Sequence, residues 1–257
     1  MLKTASSARI LRAFDEYLHF GGFPENIGRS NRREYVSSVY RKVLEGDIIT
    51  RHEIRNPVSL RLMVKKIAES VKDTISYNRI AAAMKGIGVR MNPQTAIDYM
   101  AYMEEAYLTF PVRNWFSPFS ERESVRKHYF TDTGILSLFL VDREPVLLEN
   151  LVASELYRRY SADFEESVSF VKSAKTGLDI DFYLPAEQIL IQVSYSLDQN
   201  SREREVNALV NADRLIPDVR RFLILTYSES GTIDVGDIRI EVMPVWRWLL
   251  EGKENQA

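Results

Sequence analysis

The stretches LLENLVASELYRRY at residues 147–160 and DIDFYLPAEQILIQVSYS at residues 179–196 decide the fold of this chain. Apolar residues recur every three or four positions in the first stretch, which predicts an amphipathic helix. The second stretch has apolar and alternating runs on either side of a turn, which predicts two strands. Together with their surroundings they predict a mixed sheet with helices packed on it. The predicted order from residue 146 is helix (146–160), strands (167–172, 178–184, 189–195), helix (201–213), strands (221–227, 238–243) and a short closing helix.

Two pairs of polar residues lie on the predicted strands. Asp179 and Asp181 are two positions apart on one strand, and Gln192 and Ser194 are two positions apart on the next. Because side chains alternate between the faces of a strand, the members of each pair point the same way. Polar pairs on one face, with apolar residues on the other, indicate either a functional site or the remains of one.

The composition narrows the class of protein. Of 257 residues, 45% are hydrophobic and 27% are charged, which is typical of a globular chain. The absence of cysteine excludes disulfides and thiolate metal sites. A formal charge of −2 predicts no general attraction to nucleic acid or to anionic membranes. The apolar runs are too short to span a bilayer, and the N-terminus lacks a secretory pattern, so we expect a cytoplasmic protein without membrane contact.

The pattern of apolar residues in the first part of the chain predicts helices. These helices are too few to form a domain of their own. Residues 5–18 have an amphipathic pattern, GGFPE at 21–25 interrupts it, and residues 32–49 are helical again. We expect these helices to pack on later parts of the chain, or on a segment that precedes it. The predicted division is a helical segment (1–56), a second unit (57–142) and a third (143–257).

Residues 57–115 predict three helices followed by a two-stranded ribbon, the order of a winged helix-turn-helix. In that fold the third helix, beginning at the Asn92-Pro93 start signal, would face DNA with Thr95 and Tyr99. This helix carries acidic residues and no Lys or Arg, so its affinity for phosphates would be small. The ribbon residues Arg126 and Lys127 are the better candidates for DNA contacts. Winged helices also dock proteins, and that alternative stays open.

Several short motifs resemble one family along nearly the whole chain. They are GGFPE (21–25), LEGDI (44–48), TDTGIL (131–136), LENLVASEL (148–156), DIDF (179–182) and IQVSYS (191–196). In this order they resemble the region that follows the ATPase module of prokaryotic AAA-type ATPases. That region pairs a winged helix with a restriction-endonuclease-like domain of the PD-(D/E)xK type. The resemblance implies an α/β (α+β) fold with an N-terminal helical and winged-helix region before an αβββαβ domain. No GxxxxGK[ST] motif occurs in the chain, so no ATP-binding residues are expected.

The resemblance also implies where catalytic residues would lie. An active PD-(D/E)xK site holds Mg²⁺ with acidic side chains and places a lysine beside the attacking hydroxide. The helix acid corresponds to Glu149 and the strand acid to Asp181, but Gln192-Val193-Ser194 replaces the (D/E)xK segment. Loss of such charged groups typically costs on the order of 10²–10³ in rate per group. The second-choice acids are Glu155, which we expect to be buried with a partner, and Asp179.

Three hypotheses compete for the function of the chain. The favoured one is a non-catalytic region of an AAA-type ATPase that binds DNA or a protein partner, with no cofactor. The second is a metal-dependent DNA nuclease using Mg²⁺ at Glu149 and Asp181 together with Gln192 and Ser194. The third is a structural module whose N-terminal helices dock an ATPase domain.

Overall fold

The computed structural model describes residues 4–251, with residues 4–7 given by the backbone alone. The helices are α1 (Thr4–Phe20), α2 (Arg32–Lys42), α3 (Pro57–Glu69), α4 (Tyr77–Gly86), α5 (Pro93–Glu105), α6 (Phe119–Ser124), α7 (Thr133–Ser137), α8 (Glu144–Arg159), α9 (Phe164–Ser167), α10 (Gln199–Asp213) and α11 (Val245–Glu251). The strands are β1 (Ile75–Ser76), β2 (Thr109–Asn114), β3 (Val125–Phe130), β4 (Ser169–Ser173), β5 (Leu178–Leu184), β6 (Ile189–Ser194), β7 (Arg221–Thr226), β8 (Gly231–Val235) and β9 (Ile238–Pro244). A 3₁₀ turn at Pro24–Asn26 follows α1, and a π-helical segment at Val43–Thr50 continues α2. No helix within residues 4–251 has the length and apolar character needed to cross a membrane.

The described chain forms two compact units, each made from separate stretches of sequence. The helical unit contains residues 12–111 and 123–154, and the sheet unit contains residues 112–122, those from 155 onward and those before 12. Within the helical unit α2 packs against α7. The domain bounds predicted after residues 56 and 142 stay a prediction. The ends of the predicted division, residues 1–3 and 252–257, lie outside the described residues.

An apolar stripe on α3 contributes to the core of the helical unit. Leu60, Met63, Val64 and Ile67 are buried, as their spacing predicts. Asn56 caps the helix: its side chain accepts from the Ser59 backbone N–H, and Pro57 takes the first helical position. Ser76 caps α4 by accepting from the Arg79 backbone N–H. The start signal predicted at Asn92-Pro93 is confirmed, because the Asn92 side chain accepts from the Thr95 backbone N–H.

A short strand joins the three central helices to the ribbon. β1 lies between α3 and α4 and pairs antiparallel with β3, with Ile75 opposite Arg126 and Ser76 opposite Val125. The sequence did not predict β1, since two residues are too short for a period of two to be visible.

The sheet unit contains a mixed sheet in the order β4-β5-β6-β7-β9-β8. β4, β5 and β6 are antiparallel, β6, β7 and β9 are parallel, and β8 returns antiparallel beside β9. Leu209 and Ala212 of α10 belong to the same buried cluster as Ile180, Leu190 and Ile224 of the sheet. The fold is therefore α+β with helices on a mixed sheet, as predicted at that level.

The alternation predicted for β5 is present. Leu178, Ile180 and Phe182 are buried, whereas Asp179 is exposed and Asp181 is half-buried. β8 was not predicted, because the run GTIDV is mostly exposed and follows polar residues that resemble a loop.

Candidate functional site

Gln192 connects β6 to β5 through its side chain. Its amide nitrogen donates to the Asp179 carbonyl oxygen at 3.0 Å, and its amide oxygen accepts from the Asp181 backbone N–H at 2.8 Å. The register of the two strands pairs Phe182–Leu184 with Ile189–Ile191, so these bonds lie just beyond the regular pairing. The Gln192 side chain thus satisfies backbone groups of β5 that the ladder leaves there. Both polar ends of this buried amide are used in doing so.

Asp181 completes the connection from the opposite strand. Its carboxylate oxygen Oδ2 accepts from the Val193 backbone N–H at 2.9 Å. Gln192 and Asp181 therefore bind each other's strand reciprocally. Hydrogen bonds of this kind, made from both strands, fix the spacing of the strands more firmly than a single bond.

Asp179 and Ser194, the other members of the two polar pairs, interact with different partners. Asp179 is exposed and forms an ion pair with Lys172 at 2.7 Å. An exposed pair of this type contributes only about 0–1 kcal/mol to stability. Ser194 is buried, and its hydroxyl donates to the Ser196 carbonyl oxygen at 2.9 Å. The serine therefore stabilises the end of β6.

Glu149 is fully buried in the helical unit among cations. The Lys72 ammonium lies 2.9 Å from Oε2, the Lys127 ammonium lies 3.4 Å from Oε1, and the Tyr129 hydroxyl donates to Oε1 at 2.8 Å. Lys127 and Glu149 are both almost inaccessible to solvent. A buried carboxylate requires such partners, since an unpaired buried charge is strongly destabilising. Sequence reasoning did not find Lys72 and Tyr129, because no local spacing links them to Glu149.

Glu155 has the partners that its predicted burial requires. Arg158 donates to both carboxylate oxygens, and Arg159 donates to Oε1 at 2.6 Å. Burial would raise the pKa of Glu155, but the hydrogen bonds and charges of the two guanidinium groups outweigh it, so the pKa lies below its ordinary value. Arg159 also stacks over Trp248 and donates to its carbonyl oxygen. This acid therefore anchors α8 to α11 within the sheet unit.

Most of the residues predicted to contact DNA are not free to do so. Lys127 is buried against Glu149 and Tyr99 is buried, which corrects their expected place on the surface. Arg126 forms an ion pair with Glu123. Thr95 is half-buried, and its hydroxyl bonds to the side chain of the helix cap Asn92 at 2.9 Å.

His128, next to Lys127 on β3, is buried, and no charged partner among the described residues lies at hydrogen-bond distance from it. Burial lowers its pKa to about 3, and the charge of Arg126 acts in the same direction. The Glu104 carboxylate lies 3.9 Å from Nδ1, too far for a hydrogen bond. The imidazole is therefore neutral in the folded protein at pH 7.

Two distant motifs, GGFPE and TDTGIL, meet in the helical unit. The Asp132 carboxylate caps α7 by accepting from Ile135 N–H, and it also accepts from Gly22 N–H at 2.8 Å. Gly21 has a φ of +77°, and a Cβ there would lie 2.0 Å from the Asp132 carboxylate. Burial raises the pKa of Asp132, against the effect of its backbone hydrogen bonds. The sequence showed both motifs but not that they form this contact, which we call the Gly22–Asp132 contact.

The surroundings of Glu149 and Gln192 are unfavourable for Mg²⁺, and a Mg²⁺ site at Glu149 and Asp181 stays a prediction. Mg²⁺ prefers carboxylate and water oxygens in octahedral geometry. The carboxylate of Glu149 faces two ammonium groups, and the amide oxygen of Gln192 already accepts a backbone hydrogen bond. Within residues 4–251, no three His, Asp or Glu side chains are grouped so that they could share an ion.

Comparisons with known proteins identify a family without a known function. The family model described as "Domain of unknown function (DUF8612)" matches residues 11–145, more than half of the 257-residue chain. An uncharacterized protein of Methanocaldococcus jannaschii is 31% identical over 262 aligned positions, covering 96% of this chain and 57% of the relative. The chain thus spans somewhat over half the length of that relative. No solved structure gives a significant match. The chain belongs to the DUF8612 family of domains of unknown function.

Proposed function

We propose that this chain is a non-catalytic, partner-binding region of an AAA-type ATPase, in which a PD-(D/E)xK-like domain has become a scaffold. The observation that carries the proposal is the use made of Gln192 and Glu149. The Gln192 amide bonds to the β5 backbone at both ends, and the Glu149 carboxylate is buried against Lys72 and Lys127. Each residue therefore stabilises the fold at a position where an active relative of the resembled family would hold metal.

The order of elements supports the two folds in this proposal. The sequence α3, β1, α4, α5, β2, β3, with β1 paired to β3, is the order expected of a winged helix. The sequence α8, β4, β5, β6, α10, β7 agrees with the αβββαβ order of the resembled nuclease-like domain. The M. jannaschii relative is longer than the matched region, which leaves room in that protein for a further domain.

A protein partner is favoured over DNA by the placement of the cations. DNA affinity depends on Lys and Arg side chains that can neutralise phosphates. Lys127 is buried and Arg126 is paired with Glu123, and α5 carries neither Lys nor Arg. The ribbon and the helix that were expected to contact DNA therefore have few positive charges available to bind phosphates.

A cleavage assay tests the absence of catalysis. The purified chain is incubated with linear and branched DNA in the presence of Mg²⁺ or Mn²⁺, and Asp181→Ala is tested beside it. We expect intact DNA in every reaction. Metal-dependent cleavage by the unaltered chain that disappears in Asp181→Ala would overturn the proposal and favour a nuclease.

DNA binding is the second candidate, and one observation favours it. Lys85, at the end of α4, and Arg90, on the turn before the Asn92 cap, are both exposed. In a winged helix this turn lies close to the DNA backbone. If DNA binds here, Lys85→Ala and Arg90→Ala should each reduce the slope of log affinity against log salt by about 0.9. Binding that is undetectable at low salt would exclude this candidate.

A further inference from the structure

A pocket lined by the GGFPE region contains none of the predicted catalytic residues. It encloses about 410 Å³ within the helical unit. That volume lies within the roughly 300–1,000 Å³ of ligand-binding pockets. Its walls are largely apolar and come from residues that are close in sequence, chiefly Tyr17, Phe20, Phe23 and Ile27.

The Gly22–Asp132 contact helps to hold the walls of this pocket in place. Gly22 N–H is bound by Asp132, and a Cβ on Gly22 would lie 2.8 Å from the Tyr17 ring. Thr133 donates to the Tyr17 carbonyl oxygen at 3.2 Å. The aromatic side chains at the end of α1 are therefore positioned by contacts from α7, far away in sequence, before any ligand arrives. Such preorganisation reduces the entropy that binding would cost.

One polar group in the pocket wall lacks a partner. Asn26 lines the pocket, is 3% exposed, and donates through Nδ2 to the Phe20 carbonyl oxygen at 3.2 Å. That bond fixes the orientation of the amide, since a carbonyl oxygen can only accept. Asn26 Oδ1 is then left as a buried acceptor without a hydrogen-bond partner among the described residues. Buried acceptors are rarely left unpaired, so a donor is missing here.

The rim indicates a protein segment rather than a charged ligand. Glu16 and Arg32 line the pocket and form an ion pair at 2.8 Å, and Arg12 lies 3.5 Å from the other Glu16 oxygen. The charged side chains at the rim thus form ion pairs with one another. Ile27 is 80% exposed, so the apolar surface continues beyond the cavity. A single small molecule would leave this part uncovered, whereas a peptide segment would cover it.

We propose that this pocket receives an aromatic side chain bearing an N–H donor, the chemistry of tryptophan, from a segment of a partner protein. The ring packs among Tyr17, Phe20 and Phe23, its N–H reaches Asn26 Oδ1, and the flanking peptide covers Ile27. The inference rests on the proposed function for the existence of a protein partner, and it names the group by which that partner is bound.

The test uses N-acetyl-tryptophanamide, its indole N-methyl derivative and free indole as probes of the full chain. The methyl NMR signal of Ile27 reports on the pocket, and that of Ile87, exposed on the same unit, serves as the matched control. We expect a saturable shift of Ile27 alone with N-acetyl-tryptophanamide, and affinity that is roughly three- to tenfold weaker with the N-methyl derivative. Ala13→Trp, an exposed wall residue whose larger side chain would fill the mouth, should abolish the shift while leaving the circular dichroism spectrum unchanged.

Each other outcome overturns the inference. No shift of Ile27 at the solubility limit of the probe, or an unchanged shift in a folded Ala13→Trp variant, would show that the pocket does not bind this group. Free indole binding as tightly as N-acetyl-tryptophanamide would show that a small aromatic molecule, rather than a protein segment, is recognised. These results are independent of the DNA cleavage assay, so failure of the pocket and failure of the proposed function can be told apart.

Discussion

Replacing Glu149 with glutamine tests whether this buried carboxylate holds the helical unit together. The variant keeps the shape of the side chain but removes the negative charge that faces the Lys127 ammonium, on a residue that is 1% exposed. At an effective dielectric constant of about 20, charges 3.4 Å apart attract by about 5 kcal/mol. The pair with Lys72 contributes less than its 2.9 Å distance suggests, because that lysine is 37% exposed and solvent screens it. Removal of one partner from a buried pair typically costs about 3–5 kcal/mol, and we expect that loss in the free energy of unfolding.

Urea unfolding followed by far-ultraviolet circular dichroism at pH 7 measures this loss. Glu45→Gln is the matched control, since Glu45 pairs with Arg61 on the surface of the same unit and its replacement should cost at most about 1 kcal/mol. Adding Lys127→Met to Glu149→Gln should recover part of the loss, because it also removes the buried ammonium that had paired with Glu149. A loss below about 1 kcal/mol for Glu149→Gln would refute the structural role of this residue.

Three further predictions concern stability. Gln192→Ala removes both bonds to β5 and should lower the free energy of unfolding by about 1–3 kcal/mol, measured by urea unfolding with tryptophan fluorescence. Gly21→Ala should lower the thermal midpoint more than Gly28→Ala: both glycines have a φ of +77°, but only at Gly21 would the new Cβ meet Asp132. Because the pKa of His128 is about 3 when folded and 6.5 ordinarily, the unfolded chain binds more protons between these values. Stability should therefore fall as the pH decreases from 7 to 5.5, with a slope approaching about 1.4 kcal/mol per pH unit, and His128→Gln should flatten the slope.

Specific outcomes would contradict these three predictions. An unchanged urea midpoint for Gln192→Ala would mean that the β5 backbone finds other partners. Equal midpoints for the two glycine variants would mean that Asp132 moves without cost. An unchanged pH slope in His128→Gln would assign the acid sensitivity to other groups.

The regular elements were predictable where burial follows a simple period. β5 at Leu178–Leu184 matches its predicted bounds, and α10 ends at Asp213 as predicted, because apolar residues recur along both at the required spacing. β8 escaped prediction because an exposed edge strand needs no apolar pattern. The Gly22–Asp132 contact was not predicted either, because its two motifs are 110 positions apart and local spacing does not show which segments meet.

The polar residues can be found by sequence, but their surroundings cannot. The pattern places Gln192 and Asp181 on facing strands, yet it does not show that each bonds to the backbone of the other strand. Sequence alone favours the surface for Lys127, because lysines are rarely buried. Its burial depends on Glu149, which lies 22 residues away on a different element.

The most direct test of the proposed scaffold role is the stability of the sheet unit with and without Mg²⁺. All three tryptophans, Trp115, Trp246 and Trp248, belong to this unit, so their fluorescence reports its unfolding. A metal that binds only the native state raises stability, by about 2.7 kcal/mol when its concentration is about 100 times its Kd. We predict the same urea midpoint in about 10 mM Mg²⁺ as in KCl of equal ionic strength, because the Gln192 amide is already bonded to the β5 backbone. A higher midpoint in Mg²⁺ that disappears in Asp181→Ala would contradict the scaffold role.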